Sequence, residues 1–217
     1  MIDRPYRLTQ AQRSGRTRER LVMAAIDALY RYGYSAVSTT LVAELAGVSR
    51  GAMLHQFATK AQLMAEVVDT THQRNVAAYR AALSRNPLTA EERLLALLDS
   101  GWMRHASADG VAQDEIRAAT RSDPELAECV RPVLMRHVEE IQETFGRLMT
   151  AAGITDRAVS DALLTVTIAT LRGLALEKAL GREEAQVEAA FQQLRRTLEA
   201  EIRDRLPRPE EHQVVYV

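Results

Sequence analysis

The chain has 217 residues, 47% of them apolar, 26% charged and only 5% aromatic. It can therefore bury a sizeable core, which excludes a disordered or collagen-like polymer, and its wealth of Ala, Leu, Glu and Arg favours helices over sheets. The net charge of −1 divides unevenly: residues 1–60 hold nine Arg or Lys against four acids, hence +5, and residues 61–217 carry −6.

The start, "MIDRPYRLTQAQRSGR", is polar and basic, unlike a signal peptide, and one cysteine, Cys129, rules out an internal disulfide. No apolar run is expected to reach the roughly 18 residues of a membrane span. The setting expected is reducing and cytoplasmic, without membrane contact.

The first predicted helix runs from about Ser14 to Tyr32, with Leu21, Ala25, Ala28, Leu29 and Tyr32 at three-and-four spacing, and Gly33 ends it. Ser38 caps a short second helix that Gly47 stops, and Ser49 caps a third that fades near Phe57. Thr59 and Gln62 have the spacing of a capping box for a long helix to about Leu83, closed by "SRNP" at 84–87. Further helices are predicted near 89–106, 112–121 and 124–152, with Gly110 breaking the first junction. Asp123 caps Pro124, and Pro132 kinks or restarts the third of these. Gly153 ends it, Asp156 begins another to Leu180, and "GREE" turns into a last helix carrying Val187, Phe191, Leu194, Leu198 and Ile202 on one stripe. The tail "PRPEEHQVVYV" is expected to be loose. The expected fold is all-α, with about nine helices.

Around Gly47 the spacing says more than helicity. Val42, Ala46, Val48 and Met53 can share a small core, small Ala43 lets the facing helix approach, and Gly47 gives a sharp turn. This is a helix-turn-helix pattern, whose second helix offers its outer face to a major groove. That face holds Ser49, Arg50, Gly51, Ala52 and His55, and Arg50 can pair with a guanine edge. The alternative is a plain helical corner. Lys60, in the first turn of a helix whose free N–H groups favour anions, and Thr40, with Thr39 a weaker candidate, are candidates for phosphate. Arg13, Arg16 and Arg18 read as a basic arm, Arg16 reaching DNA, or as a solubilising run.

Residues 16–66 resemble the DNA-binding domain of the tetracycline-repressor (TetR) family, through the "AA" of the first helix, "GY" at its end, "VAELAGVS", and F-x-x-K-x-x-L at Phe57, Lys60 and Leu63. The resemblance implies a dimeric regulator in which a small molecule, bound in the helical C-terminal body, controls operator binding. It also implies a phosphate-binding role for Lys60. Two positions depart from the family pattern. Leu54 stands where Tyr is common and cannot hydrogen-bond, whereas Gln56, where His is common, can still donate to phosphate.

Beyond residue 60 the sequence supports two further sites. Trp102, Met103 and His105, then Val138, Ile141, Phe145 and Met149, with Thr165 and Ile168, form a mostly apolar set without Arg or Lys, suited to a neutral, lipophilic or aromatic effector. The alternative for each of them is plain core. "ALLTVTIATLRGLAL" (162–176) is apolar nearly all round, so its Leu163, Val166, Thr170, Leu171 and Leu174 are expected at a dimer interface with Phe191, Leu194 and Leu198 of the last helix. The alternative is a buried hairpin in a monomer.

Enzyme chemistry finds little support. His72, His105 and His137 lack metal-ligand spacing, although they can still converge in a bundle, and Cys129 reads as filler rather than a redox sensor. No metal or cofactor is expected. The expected division is a DNA-binding domain with a basic arm over 1–60, an effector and dimerisation domain over 61–206, and a tail over 207–217. The expected function is a homodimeric, ligand-responsive transcriptional regulator, a repressor released from its operator by the effector. A DNA-binding architectural protein without ligand control and a helical enzyme are the alternatives.

Overall fold

The computed structural model describes residues 9–83 and 89–205. The expected tail, the "SRNP" stop and Arg4 and Arg7 lie outside them. Among the described residues there are nine helices and no strand: α1 (Gln10–Ala36), α2 (Thr39–Ala46), α3 (Arg50–Gln56), α4 (Lys60–Leu83), α5 (Ala90–His105), α6 (Ala108–Ala119), α7 (Pro124–Ala151), α8 (Arg157–Ala179) and α9 (Glu184–Arg205).

Most boundaries have local causes. The Ser38 and Ser49 hydroxyls accept from the N–H groups of Leu41 and Ala52, and Asp156 accepts from Ala158 and Val159. At α7 the Asp123 carboxylate takes the Leu126 N–H at 2.9 Å. The Thr59 box closes one residue early: Thr59 accepts from Gln62 N at 3.2 Å, but the Gln62 side chain takes the N–H of Ala58, not of Thr59.

Four expectations change. Arg13, Arg16 and Arg18 are helical, because Thr9 and Gln12 form a full capping box that starts α1 at Gln10. Pro132 sits inside α7, which runs on through it without restarting. Gly110 does not break a helix; it lies buried in the first turn of α6, where an added Cβ would strike the Arg104 carbonyl oxygen and stand 2.7 Å from the His105 Cα. Arg157–Ala179 is long and apolar enough to cross a membrane by length and composition, with 28% of the stretch buried. Thr165, Thr167, Thr170, Arg172 and Gly173 interrupt its apolar run, while its mean hydropathy stays high.

The chain forms two compact units, residues 1–78 with 103–139, and 79–102 with 140–217. This division differs from the expected boundary after residue 60, because Ala112 and Ile116 of α6 and Leu126 and Val130 of α7 complete the core built by α1–α4. In the second unit, Leu94 and Leu98 of α5, Phe145 and Met149 of α7, Leu164 and Leu171 of α8 and Phe191 and Leu198 of α9 share one core. Each such side chain, fully buried, contributes roughly 1.5–3 kcal/mol.

A candidate nucleic-acid interface

The first unit presents α2, the turn at Gly47 and α3 as a braced corner. Gly47 adopts φ 61°, ψ 41°, the left-handed conformation that suits a residue without a Cβ. Its N–H and that of Val48 return to Glu44 and Ala43 carbonyls, each at 3.0 Å. Val42, Ala43, Ala46 and Met53 are buried beneath, as the spacing requires. Arg20, which sequence reasoning passed over, clamps the turn: its guanidinium donates to the Ala46 carbonyl and to that of Gly47 at 3.2 Å.

The outer face of α3 is free. Ser49, Arg50, Gly51 and His55 are exposed and Ala52 half-buried. Leu54 is exposed too, at 47%. Thr40 and Arg16 are exposed and Thr39 is half-buried. All of these residues bar Leu54 belong to the expected DNA set, so the surface chemistry is basic and hydrogen-bonding, with Leu54 its one large apolar member.

Two expected contacts are spoken for. The Gln56 amide donates to Ser14 Oγ at 2.8 Å. Lys60 Nζ donates to the Tyr34 carbonyl at 2.8 Å and stands 3.6 Å over the centre of the Tyr34 ring. Burial pulls the Lys60 pKa down, with Asp123 opposing. Arg18 is structural, gripping Glu66 at 2.9 and 2.7 Å and covering the Phe57 ring at 4.5 Å.

The expected effector set is divided. Trp102 stacks on Phe191 with centroids 5.0 Å apart, and Ile141, Phe145, Met149 and Ile168 belong to the same core of the second unit. Met103, the next residue round α5 from Trp102, is 74% exposed. Thr165 is exposed and its hydroxyl donates back to the Asp161 carbonyl at 2.7 Å. Val138, half-buried, and His105 belong to the first unit. His105 is fully buried, with Nδ1 3.3 Å from Asp114 Oδ2 and Arg104 on Nε2. His72 and His137 do converge, stacked with centroids 3.7 Å apart, and no three potential metal ligands gather among the described residues. A groove of about 460 Å³ in the second unit, between the end of α7 and the start of α8, is lined by Thr150, Ile154 and Ser160, not by the expected set.

The expected dimer residues also separate. Leu171, Phe191 and Leu198 are buried within the second unit itself, Leu171 against Gly101, so they are core. Leu163, Thr170, Leu174 and Leu194 are half-buried. Val166 is exposed at 60%, together with Leu176 at 59% and Leu180 at 74%. Ala162, Ala169 and Gly173, also exposed, fill the gaps of a continuous stripe along α8.

Residues 21–67 match the family model for bacterial regulatory proteins, tetR family. The chain is 28% identical over 186 residues to the HTH-type transcriptional regulator CymR of Pseudomonas putida, covering 85% of this chain and 90% of that protein. It is 35% identical over 82 residues to the HTH-type transcriptional regulator TtgR, also of Pseudomonas putida, covering 36% and 39%. The fold is similar to a TetR transcription regulator from Haloarcula marismortui, with TM-score 0.67 at 21% identity over 88% of this chain and 98% of that one. It is also similar to a transcriptional regulator from Saccharomonospora viridis in complex with choline, with TM-score 0.67 at 16% identity over 85% and 96%. These relatives are transcriptional regulators.

Proposed function

The chain is a transcriptional regulator of the tetR family of bacterial regulatory proteins, and on that footing we propose that it is a cytoplasmic, homodimeric repressor released from its operator by a small effector. The observation that carries the DNA part is the free outer face of α3, with Arg50 and His55 exposed on a corner braced by Arg20 and Met53. Arg50 and His55 read base edges in the major groove, while Arg16, Thr39, Thr40, Ser49 and the backbone near Gly51 and Ala52 meet phosphate or follow the groove wall. Residues 1–60 supply the positive charge that such contact needs.

The exposed Val166–Leu180 stripe of α8 supports the dimer, because an apolar helix face of this length is costly in water and a second copy offers the same face under two-fold symmetry. Of the expected effector set, Trp102, Ile141, Phe145, Met149 and Ile168 remain the candidate lining groups, an apolar and aromatic set that suits a neutral lipophilic compound. Such a compound acts by favouring a conformer whose two recognition helices no longer match major grooves about 34 Å apart.

The test has two arms. Duplexes are selected from a random library by the full chain, and lipophilic aromatic compounds are screened for quenching of Trp102 and for loss of operator affinity. Selection of a preferred, two-fold-related duplex supports the DNA reading. A compound that quenches Trp102 yet leaves operator affinity unchanged sinks the switch, and linkage requires that a true effector bind the operator complex more weakly by the same factor.

A further inference from the structure

Lys60 is where the helix N-terminus and the family pattern would put a phosphate ligand, yet its ammonium points into the protein. The partner is a single residue, Tyr34, which joins four helices. Gly33, at φ 72° and ψ 166°, breaks the helical path of α1 just before Tyr34. The Tyr34 N–H donates to Glu115 Oε2 of α6 at 2.9 Å. Its carbonyl accepts from Lys60 of α4 at 2.8 Å and from the Val37 N–H at 3.3 Å. Its hydroxyl donates to Asp123 Oδ2 at 2.7 Å, while the other Asp123 oxygen caps α7. The cation lies over the ring as well, so Lys60 is held by a charge-assisted hydrogen bond and by the ring face. To reach phosphate it would have to leave both.

We propose that Lys60 is a positioning residue: through Tyr34 it fixes the start of α4, which follows closely on the recognition helix, to Glu115 of α6 and Asp123 of α7. Operator affinity then depends on two carboxylates that lie outside the helix-turn-helix. A shift of α6 or of the first turn of α7 loosens the same joint, and this is the route by which those two helices set the attitude of α3. The inference rests on the DNA-binding reading above for its effect on affinity, but the joint itself does not.

The experiment measures affinity across salt concentrations for a duplex selected by the wild-type full chain and for random duplex, using K60M, E115A and the double variant. K60M is expected to weaken operator binding about tenfold, with the double variant no weaker than K60M alone, because the two act through one joint. The salt slope and random-duplex affinity should stay as in the wild type. A slope lower by about one per subunit, with equal losses on random duplex, would overturn the proposal and return Lys60 to phosphate. Additive losses would overturn it too. If K60M does not fold, E115A and D123N carry the test with Lys60 intact, and unchanged operator affinity in both defeats it. Thermal unfolding of the same variants reads the joint without DNA: non-additive melting temperatures support it, and additive ones refute it. A failure to select any preferred duplex refutes the DNA reading and leaves that thermal comparison standing.

Discussion

His72 of α4 and His137 of α7 stack with ring centroids 3.7 Å apart and planes 9° from parallel, both almost wholly buried. His137 Nε2 lies 3.1 Å from Asp69 Oδ1, which also accepts from Arg136 at 2.7 Å. Burial lowers the His137 pKa; the Asp69 bond opposes this, and His72 and Arg136 add to it. The folded protein thus resists a proton that the unfolded chain takes up below about pH 6.5. Stability is full above that pH and is lost as pH falls toward the lower folded value. The wild type should melt at a lower temperature at pH 5 than at pH 7.5, and H137F, which keeps a ring in the stack, should flatten that dependence. Equal pH dependence in both proteins would remove the histidine from the account.

Arg50 is the exposed guanidinium on α3. Arg50→Ala should weaken binding to a selected operator by about 1–3 kcal/mol and relax preference at one base pair. If random duplex loses as much, Arg50 serves phosphate instead.

Leu54 gives α3 an apolar contact where a hydrogen-bonding residue is usual. Exposed and one helical turn on from Arg50, it is expected to cover a thymine methyl of the operator. Replacing one thymine of the operator by uracil should cost the wild type about 0.8 kcal/mol and cost L54A nothing. A uracil scan with the same profile for both proteins would exclude the contact.

The two sides of α8 should respond differently. Val166→Glu is expected to leave a folded monomer in sedimentation at concentrations where the wild type is dimeric. Leu171→Ala should stay dimeric but lose about 2–5 kcal/mol of stability, as buried Leu truncations do. A V166E dimer would move the interface elsewhere.

Features that depend on neighbours in sequence were legible. A cap side chain sits two or three residues from the N–H it takes, so Ser38, Ser49 and Asp156 announce their helices, and Gly47 announces its turn. Long-range partners were not: Arg18 finds Glu66 48 positions away, Gln56 finds Ser14 and Lys60 finds Tyr34, and nothing local distinguishes these from free surface groups. The inner side of α8 was hidden for a different reason. A helix apolar on every side has no period to read, so Leu171 inside and Val166 outside look alike in sequence.

Gly110 has a mechanical meaning. At this corner the end of α5 and the start of α6 touch backbone to backbone, with no side chain between them. Side chains yield to a push by changing rotamer, whereas peptide planes at contact distance do not. The corner is a stiff coupling, and Glu115, about a turn and a half further along α6, moves as far as the end of α5 moves. Glu115 in turn accepts the Tyr34 N–H. Any side chain at position 110 would pry the two helices apart and introduce slack, so that less of a displacement at Arg104 would arrive at the tyrosine.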